Sequence, residues 1–80
     1  MFIVRMDDKS EDFDINENYA FETEESAKKK FKELVEDFEN NVDLEDFVIE
    51  KDDYNYCAYE EGYYDRNHFV VEIINTEIKK

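Results

Sequence analysis

Proline is absent from the 80 residues, glycine occurs once, at Gly62, and cysteine once, at Cys57. The first two scarcities exclude Pro- or Gly-rich linkers and the Gly-rich loops that cradle phosphates, and with them the nucleotide-binding enzymes built on such loops. A lone cysteine forms no intramolecular disulfide and no cysteine-based zinc site, which fits a reducing compartment. Long apolar runs are missing too. The opening segment Met1-Phe2-Ile3-Val4-Arg5-Met6-Asp7 turns polar after six residues, so neither a signal peptide nor a membrane span is expected. An anionic surface is also repelled by anionic lipid headgroups, and the expected location is the cytoplasm.

Positive charge is the other scarcity: ten Lys and Arg stand against 24 Asp and Glu, for a formal net charge of −14. Self-repulsion at this density destabilises a compact chain, so the excess is better explained if it faces something. A basic groove built for nucleic acid has the complementary charge, whereas nucleic acid itself does not. What the chain has in abundance is core material. Hydrophobic residues make up 41% of it, with seven Phe and six Tyr, which separates it from acidic disordered tails and predicts one folded domain over residues 1–80.

The clearest element is a helix from about Glu24 to Glu39, in which Ala27, Phe31, Leu34, Val35 and Phe38 recur on one face. Thr23 is placed to cap it, Glu24 and Glu25 suit the positive end of its dipole, and Glu24/Lys28 and Glu25/Lys29 are correctly oriented pairs. Asn40-Asn41 ends it. Its last turn carries Glu36, Asp37 and Glu39, where local stability favours lysine. Phe2 to Met6 reads as a strand, and Phe13, Ile15, Tyr19 and Phe21 share one parity over the next extended stretch, forming an N-terminal hairpin. Phe47 to Glu50, Tyr54 to Tyr59 and His68 to Ile78 follow as an antiparallel meander. The last of these is apolar on both parities and so is expected to be central. The fold class expected is α+β, an antiparallel sheet of four to five strands with one amphipathic helix on one face, in the order ββαβββ.

Chemistry-bearing residues are sparse. Asp12 to Asn18 echoes the early ligand spacing of a calcium loop, yet Glu17 stands where the sharp turn needs Gly and Thr23 where the bidentate Glu belongs. His68 is the only histidine, and neither Asp65 nor Cys57 forms a recognisable constellation with it, so no enzyme, metal or cofactor is expected. Cys57 reads as a small apolar packer, since surrounding acids raise a thiol pKa.

The most one-sided segment runs from Asp43 to Asp65, with Asp43, Glu45, Asp46, Glu50, Asp52, Asp53, Glu60, Glu61 and Asp65 against Lys51. Carboxylates spread along strands and turns can bind the Lys and Arg of a nucleic-acid channel and release their counterions as the polymer does. The competing explanation is a solvated surface that keeps a small protein soluble. Tyrosines interleave with these acids. Tyr54, Tyr56 and Ala58 share one parity, with Cys57 and Tyr59 on the other, so one set belongs under the helix. Tyr63 and Tyr64, in the following turn, are the expected contact anchors.

In size, acidity, cysteine poverty and element order the chain resembles the small inhibitors that phages encode against host defence, notably acidic anti-CRISPR proteins and uracil-DNA glycosylase inhibitor proteins. The resemblance spans the whole chain but rests on no shared motif, so it assigns no residue a role. It implies a stoichiometric DNA mimic that occupies the DNA-binding surface of a CRISPR effector, working in the host cytoplasm. Such a surface includes PAM-reading arginines and a basic heteroduplex channel. Three other readings stand beside it: an inhibitor of another DNA enzyme such as a glycosylase or restriction enzyme, an adaptor for a different basic protein, and a homodimeric structural protein whose acidity serves solubility alone.

Overall fold

A computed structural model describes residues 1–10, 12–45, 47–62 and 67–76. Five strands and one helix follow one another as β1 (Phe2–Lys9), β2 (Asp14–Phe21), α1 (Glu24–Asn41), β3 (Phe47–Lys51), β4 (Asn55–Glu60) and β5 (His68–Asn75). All strands join one antiparallel sheet in the order β2-β1-β5-β4-β3. The α+β class and the ββαβββ order are those the sequence predicts. The first strand runs three residues further than expected, through Lys9, because its pairing with β2 and β5 continues without a break to Lys9↔Asp14 and Lys9↔His68.

Strand β5 is central, flanked by β1 and β4. This explains why Phe69, Val70, Val71, Ile73 and Ile74 are apolar on both parities. Register places Val4, Met6, Phe69, Val71, Tyr56 and Ala58 on the same face, and all six are buried together with Ala27 of the helix. Phe2, Phe31, Leu34, Val35, Phe38 and Phe47 close over this core. At one end the Phe38 ring stacks on Phe69 at 4.1 Å and 3°, with Phe47 and Tyr56 edge-on to it at 6.1 and 6.3 Å. Offset and edge-on ring pairs add to the burial of their area, so this quartet ties the end of the helix to the sheet.

The helix starts where its cap dictates. Thr23 is extended, and its Oγ1 accepts from the Ser26 amide at 3.2 Å. At the other end Asn41 Nδ2 donates to the Asp37 carbonyl at 2.7 Å and to Asp37 Oδ1 at 3.2 Å, folding the amide back onto the last turn. The single glycine sits in the turn after β4 with φ +82°, in the left-handed region, and nothing lies within 4 Å of where a Cβ would be. Backbone conformation, rather than space, calls for glycine at position 62.

Strand β2 pairs with β1 alone and forms one edge of the sheet. Its Asp14, Asn16, Glu17 and Asn18 are exposed, and the segment with the calcium-like spacing is therefore mostly edge strand rather than ligand loop. Charged and amide side chains on such an edge discourage strand-to-strand aggregation.

Candidate acidic interface

Two locations divide the acids of the 43–65 segment. Register sets Phe47 opposite Glu60 and Lys51 opposite Tyr56, so Glu60 and Glu61 lie at one end of the β3–β4 hairpin and Asp52 and Asp53 at the other. The two ends are separated by about 13 Å of strand at about 3.3 Å per residue. Asp43 and Glu45, exposed in the connection after the helix, belong to the Glu60 end, and Glu50 lies between the two on the outer strand. Asp46, Tyr63, Tyr64 and Asp65 lie outside the described residues.

Asp52 does structural work in its turn. Its Oδ1 accepts from the Tyr54 amide at 2.8 Å, the Asn55 amide at 2.9 Å and Asn55 Nδ2 at 3.3 Å. The hydrogen bond from the Tyr54 amide, with those from Asn55, holds its carboxyl below the usual aspartate range. Glu60 Oε2 accepts from Asn67 Nδ2 at 3.1 Å. Among the described residues none of Asp43, Glu45, Glu50, Asp52, Asp53, Glu60 and Glu61 forms an ion pair with a lysine or arginine.

The helix adds acids that the sequence reading left outside the site. Its apolar face directs Phe38 onto Phe47 and Phe69, which brings the last two turns to the Glu60 end of the sheet. Glu36 and Asp37 point outward there, the Glu36 side chain 58% exposed and 3.9 Å from Lys32, while Glu33, a turn earlier, is 64% exposed and 3.5 Å from Lys30. Glu39, half-buried, accepts from the Tyr56 hydroxyl at 3.2 Å. From residue 33 to residue 50 every charged residue is acidic, and the last helical turn contains no base. The signal was present in the sequence as acids at the negative end of a helix dipole, where they oppose local stability.

The spacing of acidic residues along this part of the helix is comparable with the charge spacing of a nucleic-acid backbone. Glu33, Glu36, Asp37 and Glu39 span six helical steps, about 9 Å at 1.5 Å per residue, or one carboxylate per roughly 2–3 Å. Duplex DNA carries one charge per about 1.7 Å of axis and each of its strands one per about 3.4 Å, so the helix end falls between them.

The remaining candidates are chemically quiet. Cys57 is half-buried, and burial, with Glu50 opposite it, pushes its thiol up, leaving it protonated and a poor nucleophile. His68 pairs in register with Tyr59 and Lys9 and stands on the same face as Cys57, which is opposite Val70. No group of three metal-ligating side chains occurs among the described residues, and no helix is long and apolar enough to cross a membrane. Comparison with protein-family models, with curated proteins and with solved structures gives no match.

Proposed function

We propose that the protein is a noncovalent inhibitor of a basic nucleic-acid-binding protein, covering the surface that otherwise takes DNA. The observation that carries this reading is the acid-only stretch from Glu36 to Glu45, which lies with Glu60 and Glu61 at one end of the molecule. Asp37 and Glu39 oppose the helix dipole and pair with no lysine or arginine among the described residues, a placement that solubility alone does not require. A CRISPR effector is the target class favoured by the resemblance to phage inhibitors, since its DNA-binding surface presents arginines and a basic channel.

The test is competition. Purified protein is titrated into CRISPR effector complexes, and target-DNA binding is followed by mobility shift at two salt concentrations. Loss of DNA binding near one-to-one stoichiometry that weakens with salt supports mimicry. A chain that runs as a stable dimer and leaves every effector unaffected overturns it. Four exposed ion pairs at up to ~1 kcal/mol each put the loss on reversing Glu33, Glu36, Asp37 and Asp43 to lysine at up to about a thousandfold. Reversing Asp52 and Asp53 alone, at the far end of the hairpin, is expected to cost less than reversing Glu60 and Glu61.

A further inference from the structure

At the opposite end of the sheet from the acidic helix terminus lies a cleft of about 400 Å³, lined by Phe2, Glu24, Tyr54, Ile73 and Asn75. Its construction follows from the β3–β4 turn. The Tyr54 carbonyl accepts from the Ile73 amide at 2.8 Å, docking the turn beside β5, and the Tyr54 hydroxyl donates to Glu24 Oε1 at 2.5 Å in the first turn of the helix. Phe2 and Ile73 supply an apolar floor, the Tyr54 ring a wall, and Glu24 a carboxylate. That carboxylate is held below the usual glutamate range by its hydrogen bond from Tyr54, so it stays charged.

A cation already rests against two of the residues that line this cleft. Lys28 Nζ lies 3.6 Å from Glu24 Oε1 and 5.0 Å from the centre of the Tyr54 ring. Carboxylate and aromatic face together therefore hold an ammonium group belonging to the protein itself, on a side chain that is 47% exposed. Asp52 and Asp53, exposed in the adjoining turn, add negative field around the entrance.

We propose that the cleft is an arginine-receiving site: an arginine side chain of a protein partner displaces Lys28, stacks its guanidinium on Tyr54, pairs with Glu24 and lays its methylenes on Phe2 and Ile73. Arginine fits better than a second lysine because its guanidinium is planar, weakly hydrated and able to pair with a carboxylate while stacking on a ring. The inference deepens the inhibitor reading, for which a basic partner is required, by naming a specific anchor at the end that carries Asp52 and Asp53.

The experiment needs no partner protein. Isotope-labelled protein is titrated with N-acetyl-arginine methylamide and, in parallel, with its neutral citrulline counterpart, and amide and ring resonances are followed by NMR. Saturable shifts at Glu24, Lys28, Tyr54, Ile73 and Asn75 with the arginine probe alone are expected, in the millimolar range of a single side chain. Lys28→Ala, which removes the competing cation, is expected to tighten binding roughly two- to fivefold, the worth of an exposed cation–π contact. Glu24→Gln and Tyr54→Leu are expected to abolish saturation while leaving the dispersion of the spectrum intact. Equal shifts from citrulline, equal shifts along Glu33 to Asn40, or no tightening in Lys28→Ala overturn the proposal. Saturable arginine binding without inhibition of any effector leaves the cleft standing and removes the inhibitor reading, and inhibition without arginine binding does the reverse.

Discussion

The two halves of helix α1 follow opposite rules. The N-terminal half is locally consistent: Thr23 caps it, Glu24 and Glu25 suit its dipole, and Lys28, Lys30 and Lys32 pair with Glu24, Glu33 and Glu36 at 3.6, 3.5 and 3.9 Å. Lys30 also lies 4.6 Å from the Tyr19 ring centre. The C-terminal half has no lysine beyond Lys32 and places Glu36, Asp37 and Glu39 against the negative end of the dipole. Its attachment comes instead from below, through Phe38 on Phe69, Phe47 and Tyr56. The first half adds to the core contacts of Ala27 and Phe31 a surface chemistry that a helix in isolation also uses. The second relies on the core alone over its last turn, which leaves that surface available for charge that does not help the helix.

Removing that attachment is the strongest way to break the contrast. Phe38→Ala deletes a ring from the stacked quartet, and such truncations cost about 3–5 kcal/mol. That is a large share of the stability of an 80-residue domain. Urea unfolding is expected to show a midpoint shifted far down, with the acidic end losing structure together with the rest of the molecule. A variant that loses only the last two helical turns while the sheet stays intact shows that the quartet does not couple them.

How much of this was legible in the sequence depends on how local the cause is. The helix, its Thr23 cap, the N-terminal hairpin and the sharing of one face by Tyr56 and Ala58 all follow from periodicity and parity, which act over a few residues, whereas which face of β4 lies under the helix does not. That β5 is central follows from its apolar residues on both parities, but which strand covers its second edge depends on pairing with β1 across most of the chain, from Lys9↔His68 to Phe2↔Asn75, for which no local pattern speaks. The acidic segment was found, but chain proximity misgrouped it. Asp52 and Asp53 adjoin Glu50 in sequence yet lie at the far end of a hairpin from Glu60, while Glu36 and Asp37 come to the Glu60 end only through the docking of Phe38. The cleft at Tyr54 was invisible for the same reason, since Glu24 and Tyr54 stand 30 residues apart.

A milder intervention sharpens the contrast at the seam between core and acidic surface. Tyr56 is 1% exposed, and its hydroxyl donates to Glu39 at 3.2 Å. Burial, with Glu39 beside it, pushes the phenol up to about 12. A phenol that ionises near 10 in the unfolded chain and near 12 in the folded one favours the native state up to pH 10. That contribution is lost as pH rises through 12. Ultraviolet titration of the phenolate band is expected to show one tyrosine ionising about two pH units late in the wild type and absent in Tyr56→Phe. Loss of the hydrogen bond is expected to cost about 0.5–1.5 kcal/mol at neutral pH. An unchanged alkaline limb in Tyr56→Phe assigns the late phenol to another tyrosine.

The smallest effect isolates the conflict itself. Asn40 is exposed in the last turn of the helix, beside Glu36 and Asp37 along its outer groove. Asn40→Lys supplies the base that local stability favours there, and a cation in the last turn of a helix contributes about 0.3–1 kcal/mol at low salt. The thermal midpoint is therefore expected to rise slightly, with the gain fading as salt screens it. Under the proposed function the same lysine sits within the surface offered to a basic partner, so inhibition is expected to weaken while stability improves. Opposite movement of the two quantities identifies this half of the helix as built for a partner at the expense of its own stability. If stability rises and inhibition holds, the acids at the helix end serve solubility, and the binding surface lies elsewhere on the molecule.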